Sequence, residues 1–250
     1  MLIAGAVCPH PPLLIPAALG AAASAPPAEL RKVAEAALWA VRTLAQARPS
    51  LITVVGSGPA GQEFGAVAAG SLREFGVPVT VGAGEPVLPL SLTVGRWLLE
   101  QAGLAGGTRE RAQHGGEALP AVAFQAVGEH TAPGACRTLG AVLAERAPRV
   151  ALLAMGDASA RRARQAPEQH DPAAQEYDEE IAEALAAADT RWLGKLDPAR
   201  DGELVVAGRA AWQVLAGAAG GRRLHGRLLC MTAPYGVTYL VASWEEPQAG

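Results

Sequence analysis

Two histidines and one aspartate stand directly after predicted strands of this sequence, and each strand is a short apolar run. They are His10 after residues 2–7, His130 after residues 121–127 and Asp157 after residues 149–155. Imidazole and carboxylate groups bind metal ions and donate or accept protons. In open α/β sheets the ligand binds outside the carboxyl ends of the strands. These three side chains are therefore the first candidates for chemistry.

His10 lies in a loop that three prolines stiffen, at positions 9, 11 and 12. Proline fixes the backbone and removes hydrogen-bond donors, so this imidazole is held on a rigid support. The setting suits a metal ligand or an acid/base group, and it equally suits a histidine that only bonds a nearby carbonyl. His130 is either a pocket residue or an ordinary loop histidine. Asp157 either ligates a metal or forms an ion pair with a following arginine.

A second set of side chains offers hydrogen-bond donors to an anionic ligand. One donor lies in the turn Gly-Ser-Gly-Pro at residues 56–59, whose backbone N–H groups add further donors. Others follow Asp157, and a tyrosine lies in the turn between the last two strands, where it reaches a pocket or simply packs. The set comprises Ser57, Ser159, Arg161, Arg162 and Tyr235.

The composition is that of an ordinary globular protein of 250 residues, with a net charge of −3 from 21 basic and 24 acidic side chains. The basic residues are scattered and slightly outnumbered, which argues against a nucleic-acid partner. No apolar stretch reaches the roughly 20 residues that cross a bilayer. The three cysteines form no CxxC pair, which favours reduced thiols and a cytoplasmic location. The apolar N-terminus lacks a basic segment and predicts a strand rather than a signal peptide.

Short apolar strands alternate with amphipathic helices along the chain, which predicts an α/β fold. We expect a three-layer α/β/α architecture with a central mixed sheet, formed by one domain over residues 1–250. Predicted strands cover residues 2–7, 51–55, 79–81, 121–127, 149–155, 227–232 and 237–244, the last two as a hairpin. Predicted helices cover residues 28–48, 91–102, 135–146, 171–188 and 208–219, with Asp171 as an N-cap and Pro172 at the first helical position. Residues 103–120 are rich in glycine and charge and predict a surface loop that includes His114.

Several of these short motifs, in this order, resemble the catalytic, LigB-type component of class III extradiol ring-cleavage dioxygenases, a superfamily that includes Memo-like proteins. The motifs are Pro-His-Pro-Pro at 9–12, Glu-His at 129–130, Gly-Asp-Ala-Ser at 156–159, Tyr-Asp at 177–178 and Ala-Pro-Tyr-Gly-Val at 233–237. The match spans nearly the whole chain and is nearest to a bacterial subgroup described only as LigB-like.

The resemblance implies a mononuclear non-haem Fe(II) held by two histidines and a carboxylate, with a further histidine as acid/base. His10 matches the first iron-binding histidine, and His130 matches a pocket histidine of many members. The sequence departs from the pattern at three places: the turn at residues 56–59 has no second metal histidine, Ala160 replaces the catalytic histidine, and Ala207 stands where the family has a carboxylate or cysteine.

Two functional hypotheses follow. In the first, the chain is a LigB-like, divergent metal-dependent oxidoreductase that acts on a small aromatic substrate, with His10 as metal ligand and His130 and Asp157 completing the site. In the second, it is a non-catalytic member that binds a small anionic ligand or a protein partner in the same cleft. Related enzymes form dimers or larger assemblies, so a homo-oligomer is expected by resemblance, although the sequence defines no interface.

Overall fold

A computed structural model describes residues 1–19, 27–105, 119–163, 166, 168 and 170–247. His114 and most of the predicted surface loop lie outside these residues. The strands are β1 (Leu2–Cys8), β2 (Leu51–Ser57), β3 (Glu63–Phe64), β4 (Gly70–Ser71), β5 (Thr80–Val81), β6 (Ala121–Val127), β7 (Val150–Met155), β8 (His225–Thr232) and β9 (Tyr239–Glu245). The α-helices are α1 (Ala28–Gln46), α2 (Leu90–Gln101), α3 (Pro133–Glu145), α4 (Ala173–Ala186), α5 (Thr190–Leu193), α6 (Pro198–Leu204) and α7 (Arg209–Ala219). Short 3-10 helices form at Pro12–Leu14, Pro16–Leu19 and Arg73–Phe75.

Seven strands form one mixed sheet in the order β3-β6-β2-β7-β1-β9-β8. The four central strands, β6, β2, β7 and β1, are parallel, while β3, β8 and β9 are antiparallel to their neighbours. Strands β1 and β7 are buried along their whole length, as expected for parallel strands covered on both faces. The predicted strand at residues 79–81 belongs instead to a separate pair, β4 with β5.

Helices cover both faces of the sheet, and each face has its own apolar core. One core packs α1 and α2 against the sheet through residues such as Val41 and Leu98, and the other packs α3, α4 and α7 through residues such as Leu185 and Trp212. The expected three-layer α/β/α architecture with a central mixed sheet is confirmed. No helix within the described ranges is both long enough and apolar enough to cross a membrane.

The helix after Asp157 begins later than the sequence predicts. The predicted N-cap was Asp171, but α4 begins at Ala173 with Pro172 as its N-cap residue. The carboxylate of Asp171 still accepts a hydrogen bond from the Ala173 N–H at 2.8 Å, so its capping role shifts by one position. The short helices α5 and α6 were missed, because four and seven residues show too little periodicity to be recognised.

Candidate functional site

The parallel strands bring four loops to one edge of the sheet, because parallel strands all end on the same side. The loops after β6, β2, β7 and β1 follow one another along this edge in that order. The loop after β1 carries His10 and the loop after β7 carries Asp157, so these two residues are neighbours. The loop that carries His130 follows β6, which is separated from β7 by β2.

His10 and Asp157 form a contact pair at the ends of β1 and β7. The His10 backbone N–H donates to Asp157 Oδ1 at 2.9 Å, and the imidazole Nδ1 lies 3.8 Å from the same oxygen. His10 is 8% exposed and its Nδ1 is buried without a hydrogen-bond partner. Nε2 is not among the buried unpartnered atoms of the described residues, so it is the ring nitrogen that reaches solvent. The carboxylate thus faces one nitrogen and leaves the other open to a ligand.

Backbone contacts fix the loop that carries Asp157. Gly156 N–H donates to the Cys8 carbonyl, and the Asp157 carbonyl accepts from Gly208 N–H at 2.9 Å. A Cβ atom on Gly156 would lie 2.2 Å from the Gly208 Cα, so any side chain there would push the two segments apart. Glycine at position 156 is therefore required by this close approach, which holds Asp157 next to the start of α7.

Tyr239 is a further residue at this edge, and the sequence analysis did not identify it. It is the first residue of β9, which runs antiparallel to β1, so it lies beyond the carboxyl end of β1. Burial, with smaller contributions from Asp157 and Tyr235, raises the pKa of Tyr239 well above its ordinary value. The phenol therefore stays protonated and can donate a hydrogen bond. Recognising it required the antiparallel pairing of β9 with β1, which no local motif reveals.

The structure does not present Ser159 and Arg162 to a ligand. Ser159 is fully buried and donates from its backbone N–H to Asp178 Oδ1 at 2.9 Å and from its hydroxyl to Asp178 Oδ2 at 2.7 Å. Thr238 donates to Oδ2 of the same carboxylate, and Arg162 lies 3.5 Å from it. These donors anchor the loop after β7 to α4 and β9. The prediction that Ser159 and Arg162 bind an anionic ligand is therefore replaced by a structural role around Asp178.

The remaining predicted donors do not converge either. Arg161 donates to the carbonyls of Glu203 and Glu168. Ser57 is the last residue of β2, where its carbonyl accepts a hydrogen bond from Ser91 Oγ at 2.7 Å. Tyr235 is 53% exposed in the turn between β8 and β9. These described side chains therefore share no common anion site.

His130 lines a different cavity from the His10–Asp157 pair. This cavity has a volume of about 200 Å³, and neither His10 nor Asp157 is among its lining residues. Its walls come from the loop after β6, from α6 and from the start of α7, including Ala207. His130 itself is exposed. The expected convergence of His10, His130 and Asp157 is thus met only by His10 and Asp157.

A buried ion pair lies beside His130. Asp201 and Arg209 are 3% and 2% exposed, and Asp201 Oδ2 lies 3.6 Å from Arg209 Nε. Tyr177 donates to Asp201 Oδ1 at 2.8 Å, whereas Oδ2 has no hydrogen-bond partner among the described residues. Burial raises the pKa of Asp201 to about 6, against the opposing effects of Tyr177 and Arg209. Sequence patterns gave no signal for this pair.

The residues at the edge of the sheet do not make the three-ligand iron site that the resemblance implies. His10 and Asp157 supply one imidazole and one carboxylate, and the turn after β2 supplies neither. Across the described ranges, no group of three histidine, cysteine, aspartate or glutamate side chains is arranged to hold a metal ion. Two protein ligands are fewer than a facial triad needs.

Comparisons with known proteins bear on the fold alone. No protein-family model matches the sequence, and a search of curated proteins finds no match. The crystal structure of an uncharacterized Escherichia coli K12 protein, JW3007, is similar to this chain with a TM-score of 0.50 and 13% sequence identity. The similarity covers 96% of this chain and 99% of that protein. It supports the α/β architecture over nearly the full length.

Proposed function

We propose that this chain is a LigB-like protein of the class III extradiol dioxygenase superfamily that binds a small phenolic ring at the His10–Asp157 pair. The observation that carries the proposal is the position of Asp157 Oδ1, 3.8 Å from His10 Nδ1, at the edge of the sheet where α/β proteins bind ligands. The sequence resemblance supplies the substrate class, a small aromatic molecule. The proposal takes His10 as an acid/base group rather than as one of three metal ligands.

The chemistry of the pair is a proton transfer. His10 Nε2 accepts the proton of a ring hydroxyl, so the O–H bond breaks as the N–H bond forms. The Asp157 carboxylate stabilises the imidazolium from the Nδ1 side, and the 3.8 Å separation shortens as the charge develops. Tyr239, whose raised pKa keeps its hydroxyl protonated, is placed to donate a hydrogen bond to the phenolate oxygen. The result is a bound phenolate next to a protonated histidine.

Titration with 4-nitrocatechol tests this proposal, because its visible absorption shifts when it loses a proton. At a pH below the first pKa of the free probe, we expect the wild type to give the ionised spectrum with saturation. His10→Gln should lose this signal and Asp157→Asn should weaken it. His225→Gln is the matched control, since His225 is exposed at the start of β8, far along the sheet from β7. An equal signal from His10→Gln and wild type would refute the proposal.

A metal-dependent oxidoreductase is the second candidate, and the adjacency of one imidazole and one carboxylate favours it. Fe(II) is the metal that the resemblance implies, and its oxidation chemistry with O2 would be supplied by the metal itself. Metal content after anaerobic loading with Fe(II), Zn(II) or Mn(II) and desalting separates the two candidates. Near-stoichiometric metal that is lost in both His10→Ala and Asp157→Ala would establish this second function. Nitrocatechol binding without retained metal would support the first.

A further inference from the structure

The cavity beside His130 contains a buried carboxylate oxygen that has no hydrogen-bond donor. Asp201 lines this cavity and is 3% exposed, and its Oδ2 has no hydrogen-bond partner among the described residues. Arg209 Nε is 3.6 Å away, which is close enough for charge attraction but too far for a hydrogen bond. Buried polar groups in proteins are almost always hydrogen-bonded, so this oxygen is a position where a ligand donor fits.

The charges around the cavity favour a cationic donor. Arg209 already directs its guanidinium to the carbonyls of Glu129 and Thr131 and to the side-chain oxygen of Gln213. Two carboxylates, Asp201 and Glu129, line the cavity against this one arginine, and Glu129 has no ion-pair partner within the described part of the chain. The lining therefore carries an excess of negative charge, which attracts a cation and repels an anion.

The walls of the cavity are apolar and leave little room. Pro198, Val205, Val206 and Ala207 line it, and its volume of about 200 Å³ lies below the roughly 300–1,000 Å³ of sites for drug-sized ligands. Val205 has a left-handed backbone with φ 55° and ψ 54°, which is rare for a β-branched residue, and it is 47% exposed. This conformation keeps an apolar side chain at the cavity rather than in the core.

We infer that the cavity formed by His130, Asp201 and Val205 is a binding site for a small organic ammonium ion. The ammonium N–H donates to Asp201 Oδ2, and the short hydrocarbon chain packs against Val205 and Val206. The site uses none of the atoms of the His10–Asp157 pair, so it stands or fails independently of phenol binding. Its ligand class is a primary amine of a few carbon atoms.

Three probes of the same size and shape distinguish the classes of ligand: propylammonium, 1-propanol and propionate. Titration of 15N-labelled protein at pH 8, followed by amide chemical shifts, reports binding and its location. We expect propylammonium to give saturable shifts at Val205, Val206 and Gly208, with at least roughly tenfold weaker binding of 1-propanol. Propionate should give none. Equal binding of propanol, preferential binding of propionate, or absence of propylammonium binding would each overturn the inference.

Variants test whether Asp201 is the anchor. Asp201→Asn should weaken propylammonium binding roughly tenfold, since it replaces a charged acceptor by a neutral one. Asp197→Asn is the matched control, because Asp197 is an exposed carboxylate that caps the same helix, and asparagine caps equally well. Ala207→Leu fills the cavity without touching the ion pair and should abolish binding. Unchanged affinity in Asp201→Asn or in Ala207→Leu would contradict the assignment.

Discussion

Two buried carboxylates in the same helical layer, Asp178 on α4 and Asp201 on α6, are treated differently by the structure. Asp178 accepts hydrogen bonds from Ser159 N–H, Ser159 Oγ and Thr238 Oγ1 and lies 3.5 Å from an Arg162 nitrogen. Asp201 accepts one hydrogen bond, from Tyr177, and its second oxygen has no partner among the described residues. Burial is nearly the same for both, so the difference lies in how many donors face each carboxylate.

The difference teaches where this fold stores a structural contact and where it keeps a reactive one. A fully bonded carboxylate rigidifies its surroundings, and Asp178 ties the loop after β7 to α4 and to the start of β9. A carboxylate with a free oxygen can still gain a ligand or a proton, and burial raises the pKa of Asp201 to about 6. The loop held by Asp178 also carries Asp157, so the structural carboxylate supports the candidate site from behind.

The largest expected effect is the destabilisation caused by Asp178→Asn. The substitution removes a charge that three donors and one arginine face, so those groups are left poorly paired in the core. We expect the free energy of unfolding to fall by roughly 3 kcal/mol, measured by urea denaturation at pH 7. Glu179→Gln, an exposed neighbour on α4, is the control and should change stability by less than about 0.5 kcal/mol. Equal effects of the two substitutions would remove the contrast between the two carboxylates.

The second effect is a pH dependence of stability that comes from Asp201. Its pKa in the folded protein is about 6, raised from the ordinary value of 3.8, so between these values the folded state binds more protons than the unfolded state. Stability contributed by the protonated carboxyl is therefore complete below about pH 4 and is lost as the pH rises through about 6. The loss is on the order of 1–3 kcal/mol, measured by urea unfolding across this pH range.

Asp201→Asn should remove this part of the pH dependence, because an amide does not titrate. At pH 8 it should leave stability within about 1 kcal/mol of wild type, since the loss of a partner for Arg209 is offset by the removal of a buried charge. A slope between pH 4 and 6 that persists unchanged in this variant would assign the titration to another group. The same substitution at position 178 is expected to behave in the opposite way, as a large loss at every pH.

The sequence predicted the architecture well because hydrophobic periodicity is a local property. The predicted strand at residues 121–127 coincides with β6, and the predicted helices at 28–48 and 208–219 match α1 and α7 within two residues. The position of candidate side chains after strands was also readable, because apolar runs end where the polar loop begins. These features depend on neighbours along the chain and need no knowledge of the fold.

The candidate site was predictable only in part, because strand order is not encoded locally. His10 and Asp157 meet since β1 pairs with β7, whereas His130 follows β6, which β2 separates from β7. Tyr239 reaches the edge only through the antiparallel pairing of β9 with β1. Asp178 belonged to a motif of the resemblance, but its role depends on donors from three separate segments. Asp201 lies on a seven-residue helix that periodicity did not detect.

A smaller effect is expected from Tyr177→Phe, which makes the contrast between the carboxylates sharper. The variant removes the one hydrogen bond that Asp201 accepts, at 2.8 Å, while keeping the aromatic ring. The loss of a donor to the ionised form raises the pKa of Asp201 further, so the pH window of falling stability should move upward. At pH 8 we expect a loss of about 1–2 kcal/mol in urea unfolding. An unchanged window would show that this hydroxyl does not stabilise the carboxylate.

The smallest expected effect is a gain of stability from Val205→Gly at the wall of the Asp201 cavity. The left-handed backbone at φ 55° costs valine about 1–2 kcal/mol, whereas glycine adopts it freely. Glycine in turn makes the unfolded chain more flexible and removes a side chain that is 47% exposed. The balance predicts a net gain of about 0.5 kcal/mol in urea unfolding, together with weaker propylammonium binding through the lost apolar wall. Val142→Gly, at an exposed site inside α3, is the control and should instead destabilise by roughly 1 kcal/mol. A loss of stability at both positions would mean that the backbone at position 205 carries no strain, and the apolar wall of the cavity would then have no energetic cost that a ligand needs to explain.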